Sequence, residues 1–508
     1  MDDTATVIRA AYGPSGPPAR AEDRLKCDAL SFPEVLAQSV SVMAPALSGA
    51  FITYLAAVKS GGATPLAFLL ATVGCLLIGA VVSGFAVRLP TAGSLYTYTV
   101  DGLGSFWGFV VGSVYSAGYI VAGPAVLAGF AVFTSLVMGD LGAPAALTEW
   151  WLWFGAGLVA YFGLSWFAVE FSTRTQLAVT AATMATLLLL TMAIIGHGGA
   201  TGNTLEAFSP AAAGVSWPLV FAGMAFGILS FAGFETAAVL GEEARNPHRA
   251  IPWAVVGSVV VGGVFFLVVT YATAIGYGVR EATTAWPRSA TGLAALADRY
   301  ASYLGDWVLL AGALSALFCG LGVHTATTRT LYVMGRDGVL PARLGRTHAR
   351  HRTPHVAIVV NLILMVVVAV VVIATTGQAS RNAVGATPGP LSAGFYLFTE
   401  GLTIVAPMAM VCYALLSVAG IRAAWRGDGA RPGSRLVVAV GAMVASTVAL
   451  LGGLWYSFAE VTPGAGVPTP YRVVPALLGT VLVVAAVAAA RLRRRRPATW
   501  AAMGAVFE

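Results

Sequence analysis

An all-α integral membrane fold is what this sequence predicts, and three observations predict it. Of 508 residues, 58% are hydrophobic and only 10% are charged, whereas ordinary soluble domains carry charge on about a quarter of their residues. The apolar residues collect in twelve runs, among them 65–87, 150–167 and 356–374, and each approaches the ~20 residues that cross a hydrocarbon layer as helix. These runs lack the alternating pattern of barrel strands. Because unpaired backbone is intolerable in lipid, helices are the remaining solution.

In chain order, residues 1–34 are polar and rich in Gly, Pro and charge, with no small-residue cleavage site behind an apolar core, and read as a disordered cytoplasmic leader. A twelve-helix transporter domain is expected over 35–490. Its first five spans fall at 35–58, 65–87, 106–137, 150–170 and 176–196, its next five at 217–240, 252–276, 307–328, 356–375 and 391–420, and two further spans at 436–458 and 473–490. Residues 491–508 form a basic tail, whose Arg491–Arg496 cluster directly follows a span and suits anionic lipid.

With the leader placed inside, the inner segments hold 23 basic residues and the outer segments 6, which accounts for all 29 Lys and Arg. That asymmetry puts both termini in the cytoplasm of a cell-membrane protein. It also explains the net charge of +7 without any role for nucleic acid. All Lys and Arg are expected outside the spans.

Several chemistries are not expected. Of the four cysteines, Cys27 sits in the leader and Cys75, Cys319 and Cys412 lie in apolar spans, so a disulfide framework is not expected. The two lysines, Lys26 and Lys59, follow no phosphate-cradling loop. The six histidines are scattered, with no metal cluster and no nucleophile beside a base. Neither an enzyme nor a cofactor is expected.

Two spans are interrupted in corresponding ways. The first contains Met43, Ala44, Pro45, Ala46, Leu47, Ser48 and Gly49, and the sixth contains Ser230, Phe231, Ala232, Gly233, Phe234 and Glu235. Pro removes an amide donor and Gly weakens helix, so each segment is a candidate break near mid-membrane. The breaks lie five spans apart. An odd offset makes the second unit of five enter the bilayer from the opposite side, as an inverted repeat (35–196 and 217–420) with its broken helices facing. The alternative is that membrane helices simply tolerate Gly and Pro.

The stretch Ser230–Glu235, followed by Gly241, Glu242, Glu243, Ala244, Arg245, Asn246, Pro247, His248, Arg249, Ala250, Ile251 and Pro252, resembles the sixth span and inner loop of amino-acid permeases of the amino acid, polyamine and organocation superfamily. Two further segments agree: Arg88-Leu89-Pro90-Thr91-Ala92-Gly93-Ser94-Leu95-Tyr96, and Arg336-Asp337-Gly338-Val339-Leu340-Pro341. The resemblance implies a leucine-transporter type fold, two inverted five-helix repeats plus two extra helices, working by alternating access. Its implied cargo is an amino acid or related amine, moved by proton coupling or exchange. The alternatives are a polyamine or organic-cation transporter, and a non-transporting sensor or channel of the same fold.

A zwitterion needs amide donors for its carboxylate and acceptors for its ammonium, and broken helices supply both. The carboxylate is expected against Ala46, Leu47, Ser48 and Gly49, and the ammonium against carbonyls near Val42, Met43 and Phe231, with Ala232, Gly233 and Phe234 completing the second break. Ionisable groups inside spans are costly and therefore informative. Glu235 is expected to gate or sense protons, as acidic residues do near this position in some members of the resembled family, or else to face the second half-helix structurally. His324 is read either as a proton carrier or as a helix-to-helix hydrogen-bonding group. Sodium-coupled relatives offer paired hydroxyls near here, and Thr325, Thr327 and Thr328 supply them only in a shifted register. Glu400 is expected either to favour a cationic substrate or to be solvated in a vestibule, and Glu170 lies at a span end. Tyr115 and Tyr119 either wall the site or merely pack, and Thr183 falls where some proton-coupled relatives carry a lysine.

Overall fold

The structure is a computed structural model and describes residues 28–167, 169–286, 292–376, 391–426, 432–459, 469–501 and 503. Of the expected leader, 1–27 lies outside the described residues, as does the side chain of Glu170. The last leader residues are ordered: Leu30 bridges to Ala244, with the Ala29 and Leu30 amides donating to the Glu243 carbonyl at 2.9 and 3.0 Å.

Among the described residues the regular structure is all helix apart from that bridge. Ten stretches are long and apolar enough to cross a membrane, the first of them, Phe32–Ala86, running through two of the expected spans. The helices are α1 (Phe32–Val42), α2 (Thr53–Ser60), α3 (Thr64–Ala86), α4 (Leu95–Leu103), α5 (Ser105–Asp140), α6 (Trp150–Phe167) and α7 (Val169–Gly196). They continue as α8 (Trp217–Phe231), α9 (Pro247–Tyr277), α10 (Gly305–Arg336), α11 (His355–Thr376), α12 (Leu391–Trp425), α13 (Pro432–Ala459) and α14 (Thr469–Arg495). The long α5 is the spine, packed along both α10 and α12, while α3 lies against α9 and α8, and α1 against α7, α9 and α10. Outer faces stay apolar, with Val159, Leu189, Val264 and Val370 more than 60% exposed, which lipid alone makes tolerable.

Both interruptions are real breaks, and each has a local cause. Pro45 disfavours the right-handed helical conformation at the residue before it. Ala44 accordingly takes left-handed angles, φ 47° and ψ 60°, and α1 ends at Val42. The chain restarts as a short turn, Pro45–Leu47, then a π-helical turn, Ser48–Ile52, before α2. In the sixth span α8 stops at Phe231, Gly233 adopts φ 109°, and Phe234–Leu240 continues as a seven-residue 3₁₀ helix. Such a length is unusual for 3₁₀ geometry and marks strain or a hinge.

The two breaks touch. Ser39 Oγ of α1 donates to the Phe234 carbonyl at 2.6 Å and accepts from the Ala237 amide at 2.8 Å. A Cβ on Gly233 would fall 2.3 Å from Cγ1 of Val42. Gly233 is therefore required twice, by its positive φ and by this approach. Gly233→Ala is expected to cost about 1–3 kcal/mol in backbone strain and a similar ~1–3 kcal/mol in overpacking, read as a lowered thermal midpoint of the purified protein. A wild-type midpoint would mean that the break relaxes freely.

Candidate functional site

The centre of the breaks is organised by one carboxylate. Glu235 is 1% exposed. Its Oε1 accepts from Tyr119 Oη of α5 at 2.7 Å, and its Oε2 accepts from Tyr413 Oη of α12 at 2.9 Å and from the Gly233 amide at 3.1 Å. Three elements are thus tied to one residue. Three donors offset part of the cost of burying this carboxyl group. It also lies at the positive end of the second half-helix.

Beside this carboxylate lies a space of about 20 Å³, lined by Tyr115, Tyr119, Ala232, Met408, Cys412 and Tyr413 among others. That is room for about one water molecule. Tyr115 and Tyr119 form an edge-to-face pair with ring centroids 4.3 Å apart. Tyr119 therefore does more than pack. Tyr413 is the residue sequence reasoning missed. A lone tyrosine in an apolar run is a weak signal, and its relation to Glu235, 178 positions away, is created by the fold.

The first break has its own local bonding. Pro45 has no amide hydrogen, and the Ala46 and Leu47 amides open a new helical turn, where amides have no intrahelical acceptor. Ser48, however, donates its hydroxyl to the Met43 carbonyl at 2.9 Å, and Cys319 Sγ donates to the Val42 carbonyl at 3.0 Å. Gly49 faces Phe265, Leu187 and Val269, an apolar wall. None of Ala46, Leu47, Ser48 or Gly49 lines the space beside Glu235. Met43 sends its side chain to Gly262, and Phe231 stacks edge-on to Phe266 at 5.1 Å. Ala232 lines the space, and the ring of Phe234 lies 5.5 Å from that of Tyr413.

His324 lies at a contact between helices. Its helix α10 does face α1, but it presents Cys319 and Gly322 there, Gly322 accepting from Gln38 Nε2 at 3.0 Å. At about 100° per residue, position 324 lies on another face. His324 points instead to α6 and α11, its ring 6.2 Å from Tyr161 and its Nδ1 2.7 Å from Asn361 Nδ2. The structure does not join it to Glu235. The Thr327 and Thr328 hydroxyls donate to the Val323 and Thr325 carbonyls of their own helix, and Thr183 likewise donates to Thr180.

Glu400 also stands apart. It precedes Tyr413 by 13 residues, about 20 Å along α12 at 1.5 Å per residue. It is half-buried, and its Oε2 is buried without a hydrogen-bond partner among the described residues.

One correction concerns the basic residues. α10 extends to Arg336, so Arg329 lies within it, buried, and pairs with Glu243 through Nε at 2.6 Å and Nη2 at 3.1 Å. One residue earlier in the same loop, Glu242 pairs with both terminal nitrogens of Arg336 at 3.0 and 2.9 Å. Tyr96 donates to Asp337 at 2.9 Å. The three resembled segments thus meet at one end of the bundle. No group of three or more His, Cys, Asp or Glu able to hold a metal occurs among the described residues.

The geometry has counterparts. The fold resembles a manganese transporter of Eremococcus coleocola, with a TM-score of 0.52 over 91% of this chain and 95% of that one at 12% identity. In sequence the chain is 25% identical over 329 residues to the branched-chain amino acid permease BcaP of Bacillus subtilis, covering 61% of this chain and 68% of that one. It is 26% identical over 322 residues to the low-affinity putrescine importer PlaP of Escherichia coli K12, covering 61% and 67%. The mouse cationic amino acid transporter 4 is 25% identical over 325 residues, 61% of this chain and only half of that longer protein. Residues 30–506 match the amino acid permease family, which takes in both breaks, Glu235 and the paired inner loop. The chain therefore belongs to the amino acid permeases of the amino acid, polyamine and organocation superfamily.

Proposed function

We propose that this protein is a secondary transporter that carries an amino acid or related amine across the cell membrane by alternating access, with both termini in the cytoplasm. The observation that carries the reading is the second break, where Glu235 binds Tyr119 and Tyr413 and which packs through Ser39 and Val42 against the first broken helix. It places a carboxyl group at a helix break, and broken helix ends are where amides and carbonyls can meet a zwitterion. The adjoining space of about 20 Å³ is far smaller than an amino acid, so substrate binding requires the helices to part. That requirement is what a gated cycle supplies and a static channel does not.

The twelve-helix, inverted-repeat topology is part of this proposal, and the packing supports it. Contacts come in exchanged pairs: α3 with α8 answers α9 with α1, α5 with α12 answers α10 with α7, and α5 with α6 answers α10 with α11. A two-fold relation between the units of five produces such pairs. α13 and α14 fall outside the scheme.

A polyamine or organic cation is the second reading. It draws on the putrescine importer and the cationic amino acid transporter among the relatives, and on Glu235 as a buried carboxyl group. Uptake of labelled amino acids and of putrescine into proteoliposomes, with and without a pH gradient, tests both. Saturable accumulation of an amino acid is expected. Accumulation of putrescine alone replaces the first reading with the second, and no accumulation of any amino acid or amine overturns both.

A further inference from the structure

On the flank of the bundle, α3, α12 and α13 leave a groove of about 180 Å³ near the ends of α3 and α12. Its walls are made of small residues, among them Ala80 and Gly84 on α3 and Gly420 on α12. A Cβ added at Gly84 meets no atom within 4 Å, so the trough is open rather than filled by a neighbour. Two arginines line its mouth, Arg88 one turn beyond Gly84 and Arg435 in the first turn of α13.

Charge and polarity change in register along the groove. Beyond the apolar trough, Arg422 and Arg426 in the last turns of α12 reach the Leu103 and Asp101 carbonyls. Asp101 lies 3.7 Å from Arg88 and offsets part of this charge. Trp425, 75% exposed, stands at the same level. Tryptophan concentrates where hydrocarbon meets headgroups, so the arginines sit at headgroup depth and the trough at acyl depth.

We propose that this groove binds one anionic phospholipid, its phosphate between Arg88 and Arg435 and an acyl chain along Gly84. Basic pockets between membrane helices hold such headgroups by charge. A zwitterionic lipid shares the tail but brings a cation to the arginines, and free phosphate shares the charge but lacks the tail. The groove requires both.

Native mass spectrometry of the full chain in detergent tests this with dioleoyl phosphatidylglycerol, dioleoyl phosphatidylcholine and inorganic phosphate. One phosphatidylglycerol per chain is expected, bound at least tenfold more tightly than phosphatidylcholine. Arg435→Gln, at an exposed position, is expected to weaken it fivefold or more. Gly84→Leu, which fills a space the protein leaves open, is expected to do the same without lowering the thermal midpoint. Equal binding of the two lipids overturns the proposal, as does retention of phosphatidylglycerol affinity by either variant. Displacement of phosphatidylglycerol by inorganic phosphate at equal concentration overturns it too, since the tail would then contribute nothing.

Discussion

Glu235→Gln is expected to lower the uptake rate at least tenfold and to change its dependence on pH, while the protein still inserts and folds. The carboxylate accepts hydrogen bonds from two tyrosine hydroxyls and one amide, all in a buried setting. Bonds to a charged group contribute roughly 1.5–3 kcal/mol each, against 0.5–1.5 for neutral ones, and each 1.4 kcal/mol lost from a rate-determining state is about tenfold. A glutamine keeps the shape but turns one acceptor into a donor, which then faces a tyrosine hydroxyl or the Gly233 amide. Tyr413→Phe removes a single donor and is expected to have a smaller effect of the same kind, a few-fold. Uptake into proteoliposomes across a series of internal and external pH values is the measurement, with the thermal midpoint recorded alongside. If both variants keep wild-type rates and pH dependence, Glu235 only caps the second half-helix.

The second large effect is on stability. Arg329 and Glu243 are buried, their side chains 5% and 4% exposed, and joined by two hydrogen bonds. Removing one partner of such a pair leaves the other charge uncompensated and costs about 3–5 kcal/mol, whereas replacing both with apolar groups is often neutral. Glu243→Gln is therefore expected to destabilise strongly, and the double variant Glu243→Leu with Arg329→Met to recover most of the loss. The backbone carbonyl of Glu243 also holds Ala29 and Leu30, so the single variant is expected to loosen the chain ahead of α1 as well. Thermal unfolding of single and double variants in one detergent decides this. A double variant no more stable than Glu243→Gln would show that the pair is not a self-contained unit.

The sequence was informative where the cause is local. An apolar run is a property of adjacent residues, and every expected span overlaps helix, although some helices run up to eight residues past the expected bounds. Pro45 and Gly233 act on their own backbone and their neighbours', so both breaks were legible from residue type. The closing ion pairs were half legible. Glu242, Glu243 and Arg336 stood out as parts of resembled segments, but which acid meets which base depends on where α10 ends, and the expected end at 328 was eight residues short of Arg336.

Helix phase and depth were not legible in the same way. His324 belongs to a helix that faces the first break, yet it reaches Tyr161 and Asn361 on the opposite side. Glu400 shares α12 with Tyr413, but some 20 Å of helix separates them. Sequence by itself determined that this chain is a bundle of membrane helices with two matched interruptions, because hydrophobicity, proline and glycine act within a few residues. Only the tertiary structure decided which tyrosines hold the carboxyl group of the second interruption, because Tyr119, Glu235 and Tyr413 meet through the packing of three separate helices and through no pattern along the chain.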